Sequence, residues 1–275
     1  MITHATAIVA LLAGTVGAQP GIYALANGKA QITSSLSSRT TRGGTAIDIV
    51  QRDARSSATI LHYHRDQTKL MHLVIVSDDF EGFSHVHPVL GADGHFTIVT
   101  PLSTARSYIV YADTTPEGLG KQVFRFRIGG AIAPAASSRP TAKASAQGYD
   151  VQLSSDRIDA ARGASITATI RHGGSIASNL HPYLGAVAHA VFINIRTLTY
   201  EHVHPMQPGS SDRATNMPGM PMENMHRESN LAAGATLKGK MTLAIPALAP
   251  GTYRMWLQFR AGSALIVAPF TIIAV

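Results

Sequence analysis

The stretch MHLVIVSDDFEGFSHVHP, residues 71–88, decides the fold. It opens with the apolar, mostly β-branched run Leu73, Val74, Ile75 and Val76. It then passes through Asp78, Asp79, Phe80, Glu81 and Gly82, and closes on His85, Val86, His87 and Pro88. β-Branched residues suit a pleated surface, and Asp and Gly suit turns, so the pattern predicts a β-hairpin. Residues two apart in a strand share a face, which places His85 and His87 together. A turn centred between 78 and 79 would set His72 opposite His85, again on that face. Pro88, with no N–H to give a ladder, is expected to end the strand.

The same arrangement recurs downstream. The first copy reads His64, seven residues, His72, twelve residues, His85-Val86-His87-Pro88; the second reads His181, seven residues, His189, twelve residues, His202-Val203-His204-Pro205. Every histidine is displaced by 117 positions, as 64 is to 181, and the aromatic residues Phe83 and Tyr200 follow the same offset. An internal duplication is therefore expected. Around the copies lie short β-branched or aromatic segments at 46–50, 73–76, 108–111 and 124–128, then at 165–170, 190–195, 253–259 and 270–275. Turn residues separate them, and no segment has a sustained helical period, so the expectation is an all-β chain of two tandem sandwich domains. A run rich in Ala, Ser, Pro and Gly at 129–147 reads as a linker between a first domain at 19–128 and a second at 148–275.

The chain has 275 residues, 45% hydrophobic and 14% charged, which excludes a disordered chain and leaves room for a core in each half. The net charge of +7 comes from scattered Lys and Arg without aromatic interleaving, so no nucleic-acid footprint is expected. With no cysteine, disulfides, thiolate metal sites and thiol nucleophiles are excluded. Residues 5–18 form a short apolar segment, with Val16 and Ala18 small at the −3 and −1 positions of a cut before Gln19. Residues 1–18 thus read as an export signal, although no Lys or Arg precedes the apolar part. No later segment is long enough for a membrane helix, and residues 264–275 read as a last buried strand.

The 13 histidines carry the chemistry. Clustered neutral imidazoles suit Cu(II), Zn(II) or Ni(II), and the affinity order puts copper first with zinc and nickel as alternatives. His64 and His181 stand eight residues before His72 and His189, roughly 26 Å along a straight strand, so they can join a site only if the chain bends. Pro182 and Gly185 offer that bend in the second copy. Lone histidines such as His95 and His172 read as ordinary hydrogen-bonded residues. The second domain also carries a polar excursion at 206–230 with Met217, Met220, Met222, Met225 and His226. Thioether sulfur selects Cu(I), so this loop is expected to capture or pass on Cu(I) while the strand histidines hold Cu(II).

The strings at 71–88 and 181–205 resemble the His-rich HxHP repeats of exported bacterial proteins that handle copper or heavy metals. The likeness covers residues 60–90 and 180–206. It implies Ig-like or cupredoxin-like sandwiches and a periplasmic or secreted location, and copper handling there would call for a metal-transfer protein or transporter as partner. The first copy departs from the pattern where His64-Arg65-Asp66-Gln67 replaces His-Pro-Tyr-Leu-Gly. Two other readings stay open. One is a bicupin-type metalloenzyme such as an oxygenase, although Glu201 alternates to the face opposite His202. The other is an adhesion or scaffold sandwich with pH-responsive histidines, which leaves the methionines unexplained.

Overall fold

A computed structural model describes residues 15–17, 19–20, 25–26, 29–130, 139–208 and 231–275, the strands before residue 31 by backbone alone. The methionine-rich expectation at Met217, Met220, Met222, Met225 and His226 lies outside the described residues. The chain is all-β, with no helix among the described residues. None of those residues forms a helix long and apolar enough to cross a membrane. Two compact units are present. The first takes in Met1–His64, Leu70–Ile75 and Ser84–Ile132, and the second Arg65–Lys69, Val76–Phe83 and Ala133–Val275.

In the first unit one sheet runs in the order Thr15–Gly17, Ile32–Thr41, Gly44–Asp53, His95–Thr100, Val89–Leu90. Thr15–Gly17, which falls within the expected export signal, is thus an antiparallel partner of Ile32–Thr41. The other sheet runs Gln19–Pro20, Gln122–Ile128, Tyr108–Pro116, Met71–Ser77, Phe83–Val86, with Tyr63–His64 paired to Tyr108–Pro116. Alternate residues fill the space between the sheets: Ile47, Ile49 and Phe96 from one, Leu73, Ile75, Val110 and Phe124 from the other. Each such side chain contributes about 1.5–3 kcal/mol by leaving water.

The second unit repeats the plan. Lys143–Ala146, Tyr149–Leu153, Ala164–His172 and Lys240–Ile245 belong to one sheet; Ala264–Ala274, Gly251–Ala261, His189–Asn194 and Tyr200–Val203 follow one another in the other. The last residues of the stretch expected as linker are therefore already strand. Phe192, Leu257, Phe259 and Phe270 meet Val151, Ile166 and Leu243 in the core. Pro269 sits inside the long strand Ala264–Ala274 without breaking it. It pairs with Trp256 on one side, while the parallel partner on the other side reaches only Ile273 and Ala274. A missing N–H is tolerated where the ladder has an open edge.

The histidine hairpins differ from expectation in register. Val191 lies opposite His202 and Ala190 opposite Val203, so the next step sets His189 opposite His204 rather than His202. The first copy closes in the same way, with the Ser77 amide donating to the Gly82 carbonyl at 3.0 Å. The turn is centred one residue later than the sequence reading placed it, because side chains stabilise a longer loop. The Asn194 carboxamide oxygen accepts from the amides of Arg196 and Thr197, each at 3.0 Å. Asp79 accepts from the Glu81 amide at 3.0 Å, and the Ser77 hydroxyl accepts from Gly82 at 2.7 Å. A slip of two residues keeps each histidine on its expected face.

Candidate metal centre

In both units the strand that carries the first histidine is buried on both faces. Met71–Ser77 and His189–Asn194 are buried at every position. Leu73 and Ile75, like Ala190 and Phe192, point into the core, so His72 and His189 occupy the opposite, equally dry face.

In the first unit, Nδ1 of His72 lies 2.9 Å from Nε2 of His85. The His87 ring stands 5.0 Å from that of His72 and 4.7 Å from that of His85, centroid to centroid. In the second unit, Nδ1 of His189 lies 3.1 Å from Nε2 of His202, and the His204 ring is 4.8 Å and 4.7 Å from the other two. The same pair of atoms meets in both copies. Two imidazole nitrogens bound at 2.0–2.1 Å to one ion are about 3.3 Å apart in tetrahedral geometry and about 2.9 Å apart in square-planar geometry. A hydrogen bond and a bridging ion are alternative ways of joining these nitrogens, and the spacing suits either. His72 and His85 in the first unit, and His189 and His202 in the second, are buried and offer ring nitrogens that could hold a metal ion.

The tautomer of neutral His189 is set by an outside partner. Nε2 of His189 lies 3.1 Å from the Tyr183 carbonyl oxygen, which can only accept. That nitrogen therefore carries the proton, and Nδ1 presents its lone pair towards His202. Burial raises the Tyr183 phenol above its ordinary pKa, against the opposing charge of Arg260.

His64 and His181 stand apart from these rings. The bend the sequence required is present: Asp66 and Lys69 exchange two backbone hydrogen bonds at 2.8 and 3.0 Å, as Tyr183 and Ala186 do at 2.9 and 3.1 Å. His64 is nevertheless exposed, on a strand paired to Tyr108–Pro116, and His181 places Nδ1 3.1 Å from the Ala235 carbonyl. Each turn delivers the following histidine, not the preceding one. His95 behaves as the sequence suggested, while His172 is held by stacking. Nδ1 of His95 meets Asp48 at 2.7 Å, and His172 stacks on Tyr149 with centroids 4.5 Å apart. Glu201 pairs with Phe192 across the strands, on the face opposite His202.

Sequence reasoning missed what surrounds the rings in the second unit. Trp256 pairs with Val191, which pairs with His202, so the three share a row on one face. Phe83 stacks on Trp256 at 5.0 Å, and Arg254 donates to the Glu81 carboxylate at 3.2 Å. Asp66 reaches His204, with its Oδ1 3.8 Å from Nδ1. The sequence signals were weak: the chain's single tryptophan, and an acid in the first copy where the second has tyrosine.

Residues 144–275 match a family model described as a domain of unknown function (DUF8832). No curated protein and no solved structure is matched by the chain.

Proposed function

We propose that the protein is an exported metal-binding protein that buffers, sequesters or passes on copper, with zinc or nickel as the alternative ion. One observation carries the reading. A buried Nδ1–Nε2 contact between two histidines, with a third imidazole against both, is built twice at equivalent positions. Duplication copies a strand, but a buried imidazole cluster costs desolvation of several polar atoms, which an ion offsets. The preference for copper follows from an all-nitrogen donor set under the Irving–Williams order. Met217, Met220, Met222, Met225 and His226 add soft donors suited to Cu(I), supporting transfer of copper in both oxidation states. The likeness of residues 60–90 and 180–206 to exported HxHP-repeat metal-handling proteins, and the apolar leader at 1–18, support a periplasmic or secreted site of action with a transporter or transfer protein as partner.

The test is metal uptake by the full chain after dialysis against limiting copper, measured by elemental analysis and Cu(II) electron paramagnetic resonance. A His72→Gln/His85→Gln/His189→Gln/His202→Gln variant is run beside it, with circular dichroism checking that it stays β. Retained copper with nitrogen hyperfine structure in the parent, lost in the folded variant, is the expected result. Failure of the parent to retain copper, zinc or nickel overturns the reading, as does full retention by the variant.

A further inference from the structure

His204 has a carboxylate near its ring. Asp66 Oδ1 stands 3.8 Å from His204 Nδ1, and both side chains are about four-fifths buried, at 21% and 20% exposure. Asp66 is placed there by a rigid turn. It shares two backbone hydrogen bonds with Lys69, and the two residues between them, Gln67 and Thr68, have φ of 45° and 76°. The segment Arg65–Lys69 packs as part of the second unit.

The repeat adds a second line of support. Asp66 and Tyr183 occupy equivalent positions, 117 residues apart, at the start of equivalent turns. Tyr183 gives its main-chain carbonyl to Nε2 of His189 at 3.1 Å, whereas the Asp66 carboxylate stands 3.8 Å from Nδ1 of His204, longer than a direct hydrogen bond but close enough for its charge to favour a proton on that nitrogen. Both turns thus bring an oxygen towards a histidine ring of the second unit, one by a hydrogen bond and one by the nearness of its charge. Histidines that bind metal are commonly held this way: an outer acceptor keeps the proton on one ring nitrogen and leaves the other basic and aimed at the ion.

We infer that Asp66 is a positioning residue for the second unit's histidine site. It keeps the proton of neutral His204 on Nδ1 and leaves the buried Nε2 as the metal donor. The donor set of that unit is then mixed: Nδ1 from His189 and Nε2 from both His202 and His204. The inference rests on the metal-binding reading for its purpose, but its immediate claim concerns a tautomer and needs no metal.

The experiment uses the full chain, labelled with nitrogen-15 and stripped with a chelator. Long-range proton–nitrogen correlation then reads the tautomer of each histidine ring in the parent and in Asp66→Ala, Asp66→Glu and Lys69→Ala. The parent is expected to hold His204 as the Nδ1–H form. Asp66→Ala moves it towards Nε2–H and lowers copper affinity by about 10–100-fold. Asp66→Glu recovers part of both effects, and Lys69→Ala, in the same turn, leaves both as in the parent. An unchanged His204 tautomer in Asp66→Ala overturns the inference, as does an Asp66→Ala effect that Lys69→Ala reproduces in full. A parent that binds no metal yet shows the predicted tautomer change refutes the metal reading alone.

Discussion

Trp256 gives the candidate centre a built-in optical reporter. It is the chain's only tryptophan, 1% exposed and stacked on Phe83. Trp256 pairs with Val191, and Val191 with His202, so two strand spacings of about 4.8 Å separate the tryptophan and histidine backbones, roughly 10 Å in all. Both side chains leave the sheet on the same face. An open-shell Cu(II) ion held by His202 therefore lies close enough to quench the indole, whereas closed-shell Zn(II) at the same nitrogens does not. Titrating the full chain with Cu(II) under tryptophan-selective excitation should remove most of the emission, saturating with the bound metal. His202→Gln should weaken the quenching in step with the lost affinity. Zn(II) should leave the emission intact yet still raise stability, by about 2.7 kcal/mol when free metal is a hundredfold above the dissociation constant. Copper retained by the protein with Trp256 emission unchanged would refute the placement of the ion on His202.

Two further predictions rest on local structure. Thr68 is a β-branched residue at φ 76° in a turn whose repeat-equivalent position is Gly185 at φ 87°, so Thr68→Gly relieves a left-handed strain of about 1–2 kcal/mol. Glycine's greater unfolded-state freedom takes back about 0.5–1 kcal/mol, leaving a net gain of roughly 0.5–1 kcal/mol, read as a higher midpoint of urea unfolding; a lower midpoint would count against the strain. Burial pushes the phenols of Tyr63 and Tyr111 well above the usual tyrosine range, at Tyr111 against the opposing charge of Arg125. Their folded pKa lies above the unfolded value of about 10, so their contribution is whole below that pH and is lost as pH rises past it. Ultraviolet titration should show these two phenols ionising only together with unfolding, and ionisation while the β dichroism is intact would contradict their burial.

Much of this architecture was legible before the structure. The β-branched runs at 46–50, 73–76 and 165–170 fall within observed strands, and that at 190–195 does so up to Asn194, because β-branched side chains suit a pleated surface. The 117-residue offset exposed the duplication, and Pro182 and Gly185 marked the bend. The register was less legible. It depends on whether Ser77, Asp79 and Asn194 fold back on neighbouring amides, and a sequence shows such residues without showing which amide each accepts from. His64 and His181 have the spacing of the quartet but are carried to other surroundings by the turn, since spacing fixes a face only while the strand continues. Asp66 and Trp256 were invisible as neighbours of the rings because their contacts join segments far apart in the chain.

Trp256 has a practical consequence for anyone dissecting this protein. The aromatic ring that covers it, Phe83, and the carboxylate beside His204, Asp66, both come from before residue 132, although they pack with the unit that holds most of the residues after it. A gene cut at the sequence midpoint would yield a C-terminal fragment with a bare indole and an altered histidine environment. Its poor solubility and weakened metal affinity would be faults of the cut rather than properties of the protein. Expression, crystallisation and domain-swap experiments should therefore keep the 65–69 and 76–83 segments with the second unit, by using the whole chain or by grafting those segments back.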